Sequence, residues 1–313
     1  MLEGKRVAVV VPAHDEEELI GTTIGGIPSL VDRIVVVDDG SRDGTAAAAE
    51  AAGDARVEVI RHDRNRGVGA ATVTGYRRAL EEGHDVVVVV NGDNQMDPAD
   101  LPTMVRAVAR GEVDYAKANR LFTGQAFQLI PKTRFFGNAI LSMLTKIASG
   151  YWHVADSQSG YTAISRELLA RLDLDRVYTN YGFPNDMLVH LNVWNARVRD
   201  FPSRPVYGVG ERSGMRYRHV VPRISWLLLK GFFWRLWEKY VKRDFHPLVF
   251  FYLFGFLATA AGVVLGLVVA GLRIAGQDLT VGTVVLVALL VLSGSQFTLF
   301  AMWFDMESNK DLR

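Results

Sequence analysis

The segments VAVVVPAHDEE (residues 7–17), IVVVDDGSRDGT (34–45) and VVVVVNGDNQMDP (86–98) decide the fold. Each opens with a short, continuous run of mainly β-branched residues, which is typical of a strand buried on both faces of a sheet. Helical patterns follow these strands, over residues 16–27, 45–52, 69–82 and 98–110. The alternation of strands and helices predicts an α/β fold with a mostly parallel, doubly wound sheet.

Ligands bind such sheets at the carboxyl ends of the strands, and that edge carries three polar loops. They are predicted at Pro12–Glu16, Asp38–Gly44 and Asn91–Asp97. In the second loop, the carboxylates of Asp38 and Asp39 can hydrogen-bond a base or a ribose, and the glycines allow a tight turn. A plain turn with a helix cap at Asp43 is the alternative.

The third loop has the composition of a metal site. Asp93 and Gln95 present oxygen ligands on either side of one residue, next to Gly92. Hard cations such as Mg²⁺ or Mn²⁺ prefer oxygen ligands and take further ligands from substrate phosphates. The alternative is a polar turn before a helix.

Composition narrows the class of protein. The chain has 313 residues, of which 49% are hydrophobic and 22% charged, with a net charge of +1. These values favour a folded protein with a large core, and we expect no nucleic-acid partner. The absence of cysteine excludes disulfides and thiolate chemistry. We expect no secretory signal, because the first apolar run is too short.

Two apolar runs near the C-terminus are long enough to cross a bilayer. Pro247–Leu272 and Leu279–Phe304 each contain 26 residues without a charge, and about 20 suffice for a span. A pair of buried helices in a soluble protein is the alternative. Nine lysines and arginines but three acidic residues lie between Glu211 and His246. The positive-inside rule then predicts a two-span protein of the cell membrane, with the large N-terminal region and the C-terminal tail in the cytosol.

The segment Ser225–Arg243 is predicted to be a helix lying in the headgroup layer. Its aromatic face would carry Trp226, Phe233, Trp237 and Tyr240, and its cationic face Arg235, Lys239 and Lys242. A helix packed on the soluble domain is the alternative, favoured by Lys230 on the aromatic face. We therefore predict a catalytic domain over residues 1–212, juxtamembrane helices over 213–245 and a transmembrane hairpin over 246–313. Assembly of several copies through the hairpin stays open.

Taken together, these motifs resemble glycosyltransferase family 2, which has the GT-A fold. Within that family the chain is similar to the dolichol-phosphate mannosyltransferase and polyprenyl-phosphate glycosyltransferase group. The stretches that carry this resemblance are VVPAHDEE (10–17), DDGS (38–41), NRGVG (65–69), ANR (118–120), DSQSGY (156–161), GF (182–183), YG (207–208) and ERS (211–213).

The resemblance implies an inverting transfer of a hexose from a UDP- or GDP-sugar to a polyisoprenyl phosphate. It implies Mg²⁺ or Mn²⁺ as the cofactor, held by Asp93, Gln95 and Asn91. The implied donor-binding residues are Pro12, Ala13, His14, Glu16, Val37, Asp39, Asn91, Gly92, Asp93, Arg120 and Arg204. The implied acceptor-binding residues are Arg134, Ser159 and Arg212, and the implied catalytic residues are Asp93, Arg120, Arg134 and Arg212.

The chain departs from the family pattern at three places. Asn91 stands where the family usually has Asp, so the metal site loses a negative charge and should bind metal more weakly or through water. His14 replaces a frequent Tyr, and Gly210-Glu211-Arg212-Ser213 replaces Gly-Glu-Ser-Lys. For Asp186, near the position of a catalytic carboxylate in other members, we expect a structural or arginine-orienting role.

Three other functions compete with this interpretation. A processive polysaccharide synthase would carry a Gln-x-x-Arg-Trp motif and more spans, which this sequence lacks. A membrane-bound nucleotidyltransferase would share the sheet and the metal site but would not need the hairpin. A non-catalytic membrane adaptor that binds a nucleotide sugar is the third, and Asn91 makes it worth testing.

Overall fold

The computed structural model of the chain describes residues 1–121, 132–204, 206 and 217–313, with the backbone alone at 132–136, 138 and 217–219. The contacts among these residues define two compact units. The first comprises Met1–Phe233 together with Asp311–Arg313, and the second comprises Trp234–Lys310. The domain boundaries predicted at 212 and 245 stay predictions.

In the described part of the chain, the first unit is built on one sheet of seven strands in the order β3-β2-β1-β4-β6-β5-β7. The strands are β1 (Val7–Ala13), β2 (Arg33–Asp38), β3 (Val57–Arg61), β4 (Val86–Val89), β5 (Tyr115–Asn119), β6 (Thr162–Ser165) and β7 (Val198–Pro202). Strands β3, β2, β1 and β4 are parallel neighbours. Strand β6 is antiparallel to both β4 and β5, and β7 runs parallel to β5. The predicted α/β fold with a mostly parallel sheet is confirmed.

Helices cover both faces of this sheet. Those of the first unit are α1 (Ile20–Gly26), α2 (Thr45–Ala51), α3 (Val68–Glu81), α4 (Leu101–Ala109), α5 (Lys132–Ser149), α6 (Arg166–Leu169), α7 (Phe183–Val193) and the first part of α8 (Tyr217–Trp237). A 3₁₀ turn at Pro98–Asp100 precedes α4, and Asp97 caps it by accepting a hydrogen bond from the Ala99 N–H. One apolar cluster packs on each face of the sheet, as expected for strands buried on both sides.

The close packing of α3 on β1 depends on one glycine. A Cβ at Gly75 would lie 2.2 Å from a methyl carbon of Val10. Since real Cβ contacts are never that short, Gly75 lets the helix approach the central strand. This contact fixes the helix that begins directly after the Asn65–Gly67 loop, and it therefore helps to hold that loop at the carboxyl edge of the sheet.

The second unit contains the two apolar runs, now seen as helices α9 (Leu248–Ile274) and α10 (Val281–Ser308). Both are long and apolar enough to span a membrane, and within their most apolar windows 11% of the residues are buried. A core helix of a soluble protein would be mostly buried, so this low fraction favours the span over the buried alternative. The two helices pack through small residues: a Cβ at Gly294 would lie 2.5 Å from the Thr259 N atom, and one at Gly255 would lie 2.9 Å from the Thr298 N atom.

The prediction for Ser225–Arg243 is wrong for its cationic face. Helix α8 ends at Trp237 and a π-helical turn follows at Glu238–Arg243. Arg235 and Lys239 are buried, with exposed fractions of 0% and 6%, whereas Lys242 is exposed. The two buried cations have partners on α10 and the residue that follows it, which the periodicity of a single helix cannot reveal.

The aromatic face is confirmed in part. Trp226, Phe233 and Trp237 are exposed, and Leu229 adds to them. Tyr240 is buried, and its hydroxyl donates a hydrogen bond to Asp305 (2.7 Å). The exposed apolar face is therefore shorter than predicted and belongs to α8 alone.

Residues after α10 return to the first unit. The carbonyl of Leu312 accepts a hydrogen bond from the Val198 N–H (2.9 Å), and the Leu312 side chain packs on the core of the first unit. Val198 opens β7, the last strand of the sheet. The C-terminal residues thus cover part of an edge strand that would otherwise expose unpaired backbone groups.

Candidate active site

The three predicted loops lie at the same edge of the sheet, with β1 between β2 and β4. The loops after β1 and β2 are joined by side chains that accept backbone hydrogen bonds. The hydroxyl of Ser41 accepts from the Asp15 N–H (3.0 Å), and that of Thr45 accepts from the Glu16 N–H (2.9 Å). In return, Asp15 Oδ1 accepts from the Arg42 N–H (2.8 Å). The two loops therefore form one connected rim.

The rim meets the third loop through β1. The Gly92 N–H donates to the carbonyl of Pro12 (3.1 Å), and a Cβ at Gly92 would lie 3.0 Å from that of Ala13. The Thr23 hydroxyl donates to the Gly92 carbonyl (3.1 Å). Val37 is buried in β2, and its neighbour Pro12 pairs with it across the strands. Most of the predicted donor-binding residues are thus brought together.

Asp39 organises a loop of its own. It is buried, and its Oδ1 lies 2.7 Å from His62 Nδ1 and accepts from the Arg66 N–H (2.9 Å). Its Oδ2 accepts from the Gly67 N–H (2.7 Å). His62 in turn lies 2.9 Å from the hydroxyl of Thr74 on α3. Both Asp39 oxygens are therefore engaged with the Asn65–Gly67 loop, and donor contact by this residue stays a prediction.

Asp38, the other member of the Asp38–Asp39 pair, contacts the residue that ends β3. Asp38 Oδ1 accepts from the Ser41 N–H (2.9 Å), which closes the turn, and Arg61 Nε lies 3.2 Å from Oδ2. Asp43 Oδ1 accepts from the N–H of Thr45, the first residue of α2 (3.1 Å), but the N-cap position itself is Gly44, which makes no side-chain cap. Asp38, Asp39 and Asp43 therefore each accept a backbone hydrogen bond.

Glu16 lies in an electrostatically unfavourable place for a carboxylate. Burial, together with the negative charges of Asp93, Asp43 and Asp15, raises the pKa of the Glu16 carboxyl to about 7. Glu16 therefore senses the charge of Asp93 across the first and third loops. A bound cation would relieve this repulsion.

The predicted metal ligands have the oxygen chemistry of a hard-cation site. Asn91, Asp93 and Gln95 offer two amide oxygens and a carboxylate, and Asp93 Oδ1 also accepts from the Gln95 N–H (3.2 Å). Throughout the part of the chain that the structure describes, no three His, Cys, Asp or Glu residues form a metal-binding group. The donor set and the repulsion at Glu16 fit a cation that completes its shell with substrate phosphates.

Arg120 is held by a carboxylate from another part of the chain. It follows β5, and its Nε and Nη2 donate to Asp156 Oδ2 (2.7 Å) and Oδ1 (3.1 Å). Asp156 is 3% exposed, and its charge lies next to that of Arg120, which lowers the pKa of Asp156 despite its burial. Two parallel charge-assisted bonds fix the plane of the guanidinium.

The loop that supplies Asp156 also contacts the Asn91–Asp97 loop, where we predict the metal to bind. A Cβ at Gly160 would lie 3.4 Å from Asn91 Oδ1, and the Tyr161 hydroxyl donates to the Asp97 carbonyl (3.2 Å). Ser159, predicted to bind the acceptor, is buried in this loop, and its carbonyl accepts a hydrogen bond from the Lys117 ammonium. Arg120 and Asn91 are therefore connected through residues 156–161.

The other predicted basic residues are placed less fully. Arg204 is exposed, and its backbone N–H donates a hydrogen bond to the carboxylate of Asp100, which lies shortly after the Asn91–Asp97 loop. Arg134 lies on α5, where the structure describes the backbone alone, and Arg212 lies outside the described residues. His14 is partly exposed and lies 3.6 Å from Asp15 Oδ2.

Asp186 contacts a backbone amide and a histidine, and the structural or arginine-orienting role that we expect for it stays a prediction. Its Oδ2 accepts from the Tyr178 N–H (2.8 Å) and lies 3.5 Å from His190 Nε2, one turn along α7. Sequence reasoning missed Lys117, His62 and the pairing role of Asp156. The DSQSGY motif did contain Asp156, but its partner Arg120 lies 36 residues earlier.

Fold, loop geometry and motif order together define a sugar-transferring enzyme of the GT-A type. The profile of Glycosyl transferase family 2 matches residues 8–173. The chain belongs to glycosyltransferase family 2. Membership favours glycosyl transfer over the nucleotidyl transfer and the non-catalytic binding that the sequence left open.

Three relatives within the family match this chain over most of their own length. A UDP-N-acetylglucosamine–dolichyl-phosphate N-acetylglucosaminyltransferase of Methanococcus voltae is 28% identical over 65% of this chain and 86% of its own. An undecaprenyl-phosphate mannosyltransferase of Micrococcus luteus is 31% identical over 63% and 82%. A polyprenol monophosphomannose synthase of Mycolicibacterium smegmatis is 28% identical over 72% and 88%.

A solved structure supports the fold. Glucosyl-3-phosphoglycerate synthase from Mycobacterium tuberculosis, crystallised with Mn²⁺, UDP and glucosyl-3-phosphoglycerate, superposes with a TM-score of 0.54. It covers 74% of this chain and 80% of its own at 22% identity. At that identity the likeness shows the GT-A-like fold.

Proposed function

We propose that this enzyme transfers a hexose from a UDP- or GDP-sugar to a polyisoprenyl phosphate, with inversion at the anomeric carbon. The observation that carries the proposal is the presence, in one chain, of a family-2 glycosyltransferase unit and two helices able to span a membrane. An acceptor with a long apolar tail stays in the bilayer, so an enzyme that uses it must work at the membrane surface. The three relatives described above are named for the transfer of sugars to lipid phosphates, which supports the same acceptor class.

The acceptor phosphate needs little activation. A phosphate monoester has a second pKa of about 6, so near neutral pH it is largely a dianion. One of its oxygens attacks the anomeric carbon, while the bond from that carbon to the donor diphosphate breaks and its electron pair leaves with the nucleotide. In-line displacement inverts the configuration. The mechanism therefore requires no general base, and the engagement of Asp186 with Tyr178 and His190 is compatible with that.

What the reaction does require is positive charge around two anionic phosphates. Arg120, with its guanidinium plane fixed by Asp156, is one group that can supply it. Arg134, Arg204 and Arg212 are proposed to add further charge on the acceptor and donor sides. A divalent cation held by Asn91, Asp93 and Gln95 would supply positive charge at the leaving diphosphate.

We further propose that the exposed apolar face of α8 lies in the headgroup layer. Trp226 is 58% exposed and Phe233 50%, and the ammonium of Lys230 lies 5.3 Å from the centre of a Trp226 ring. Aromatic rings next to cations suit the boundary between headgroups and acyl chains. The same proposal places the protein in the cell membrane, with its catalytic unit on the cytosolic side.

The decisive experiment uses the purified full-length enzyme in detergent with Mn²⁺ and a polyprenyl phosphate. UDP-glucose, UDP-N-acetylglucosamine and GDP-mannose are offered separately, and the glycolipid product is isolated and its anomeric configuration read by NMR. One donor should give an inverted, phosphate-linked glycolipid. Release of the sugar 1-phosphate, which is the leaving group if the nucleotidyl group is transferred instead, or the absence of product with every donor would contradict the proposal.

Asp93 provides the matching variant. It is the one carboxylate among the three proposed metal ligands, so Asp93→Asn should reduce glycolipid formation to background while the melting temperature stays unchanged. Asp175→Asn, the same change at a side chain that is 85% exposed, should retain full activity. Near-normal turnover by Asp93→Asn would remove Asp93 from the metal site.

A further inference from the structure

A buried lysine, Lys117, lies in β5, the strand that ends directly before Arg120. Lys117 is the middle residue of β5, every residue of which is buried, and its own exposed fraction is 0%. Its ammonium donates a hydrogen bond to the carbonyl of Ser159. A buried ammonium is destabilising unless charges and acceptors around it compensate the loss of water.

Two carboxylates provide that compensation. Lys117 pairs in register with Asp200 on the neighbouring strand β7, and both Asp200 and Asp156 attract its charge. Burial lowers the pKa of Lys117 to about 8, which leaves it mostly protonated at neutral pH. The ammonium therefore shares the two carboxylates with groups nearer the site.

Each carboxylate holds part of the loop that carries Asp156. Asp200 Oδ2 accepts from the Ala155 N–H (2.7 Å) and from Asn119 Nδ2 (3.1 Å). Asp156 Oδ1 accepts from the Gln158 N–H (3.2 Å) as well as from Arg120. Together with the bond from Lys117 to Ser159, these contacts tie residues 155–159 to β5 and β7. A catalytic arginine would be only as well placed as the carboxylate it bonds.

We propose that Lys117 is a positioning residue for the transfer reaction: its buried ammonium anchors the Asp156–Ser159 loop and thereby fixes the guanidinium of Arg120. The proposal rests on the proposed function, and in particular on Arg120 acting at the phosphates. Lys117 itself touches no substrate. Methionine has a side chain of similar length, so replacing Lys117 by methionine mainly removes the charge.

A double-mutant cycle on kcat tests this role. Lys117→Met and Arg120→Ala are made singly and together, and glycolipid formation is measured at saturating donor and acceptor. Displacement of a catalytic group by about 1 Å costs about 100-fold in rate, so we expect Lys117→Met to lower kcat by about 10- to 100-fold. In the Arg120→Ala background the same change should have little further effect, because the group it positions is gone.

A merely structural lysine would behave differently. Its loss would lower kcat by the same factor in both backgrounds, and that result would overturn the proposal, as would wild-type kcat in Lys117→Met. Lys117→Gln is made in parallel, since it keeps a donor for the Ser159 carbonyl without the charge and serves if the methionine variant does not fold. It should show the same non-additive loss. Lys5→Met, at an exposed lysine, is the control and should match wild type.

The outcomes separate this proposal from the one on which it rests. If the wild-type enzyme makes no glycolipid, the acceptor assignment fails, and the cycle is read instead on hydrolysis of the nucleotide sugar. If glycolipid forms but Arg120→Ala keeps wild-type kcat, the transfer function stands and the positioning role of Lys117 is overturned. If Arg120→Ala is impaired and both Lys117 variants are not, Lys117 alone is wrong.

Discussion

The contacts of Asp39 show that a side chain predicted to bind a ligand can instead hold a neighbouring loop. In the sequence, Asp39 belongs to a pair of carboxylates that could contact a nucleoside. In the structure, its oxygens accept bonds from His62 and from the amides of Arg66 and Gly67. Since charge-assisted bonds of this kind are strong, Asp39 holds the Asn65–Gly67 loop in place.

Asn91 supplies an amide rather than a carboxylate to the proposed metal site, and it gives a direct test. Asn91→Asp adds a second carboxylate to the proposed ligand set, and the affinity of such sites rises with ligand charge. We expect the Mn²⁺ concentration for half-maximal activity to fall several-fold.

The control for this prediction lies in the same loop. Asn94→Asp adds the same charge at a position that is not a proposed ligand, and its left-handed backbone (φ 53°) accepts Asp as readily as Asn. It should leave the metal titration near that of the wild type. Equal shifts in both variants would mean that the loop charge matters in general and that Asn91 is not a ligand.

At this scale, sequence and structure contribute differently. The shared loop of Asn91, Asp93 and Gln95 could be predicted because these residues are close in sequence and follow a recognisable strand. Lys117 and the Arg120–Asp156 pair could not, because their partners come from distant segments that only strand pairing brings together. A lysine between apolar residues of a strand carries no signal of its partner.

Among the elements, the junction of α8 with α10 has the most unusual chemistry. Arg235 Nη1 and Nη2 donate to the two carboxylate oxygens of Asp305, each at 2.8 Å, and neither side chain is exposed. Lys239 Nζ donates to Asn309 Oδ1 (2.7 Å), and Asn309 Nδ2 bonds Asp305 (3.0 Å). These cations connect two helices, which explains why the predicted cationic face does not exist.

This pair predicts a large effect on stability. Asp305→Asn removes the carboxylate that two nitrogens of the Arg235 guanidinium bond, and breaking a buried pair in this way costs about 3–5 kcal/mol. We expect a clear drop in the melting temperature of the detergent-solubilised protein. The double change Arg235→Met with Asp305→Leu should recover most of it, since apolar replacements of a buried pair are often neutral.

An exposed pair serves as the comparison. Arg273, in the last turn of α9, lies 3.4 Å from Asp278 in the turn that follows, and both are solvent-accessible. Such pairs contribute little to stability, so Asp278→Asn should leave the melting temperature unchanged. If Asp305→Asn also left it unchanged, the pair at the α8–α10 junction would not hold these helices together.

For the whole molecule, periodicity and strand-end rules predicted the α/β class, the shared edge of the three loops and the two apolar helices. They did not predict β3 or the mixed half of the sheet. Val57–Arg61 contains Glu58 and Arg61 and is only partly buried, so it lacks the apolar run of a central strand. Strand β5 includes Lys117 and Asn119, whose polarity hid it for the same reason.

The last prediction concerns how the chain crosses the membrane. The carbonyl of Leu312 bonds Val198 of the first unit, so the residues after α10 lie on the same side as the catalytic sheet, as a hairpin of two spans requires. A topology reporter after Arg313 should therefore match one inserted at the exposed turn between Ala52 and Gly53. A reporter between Gly276 and Gln277, in the turn of the hairpin, should give the opposite side. If all three report one side, α9 and α10 do not span, and the membrane acceptor loses its strongest support.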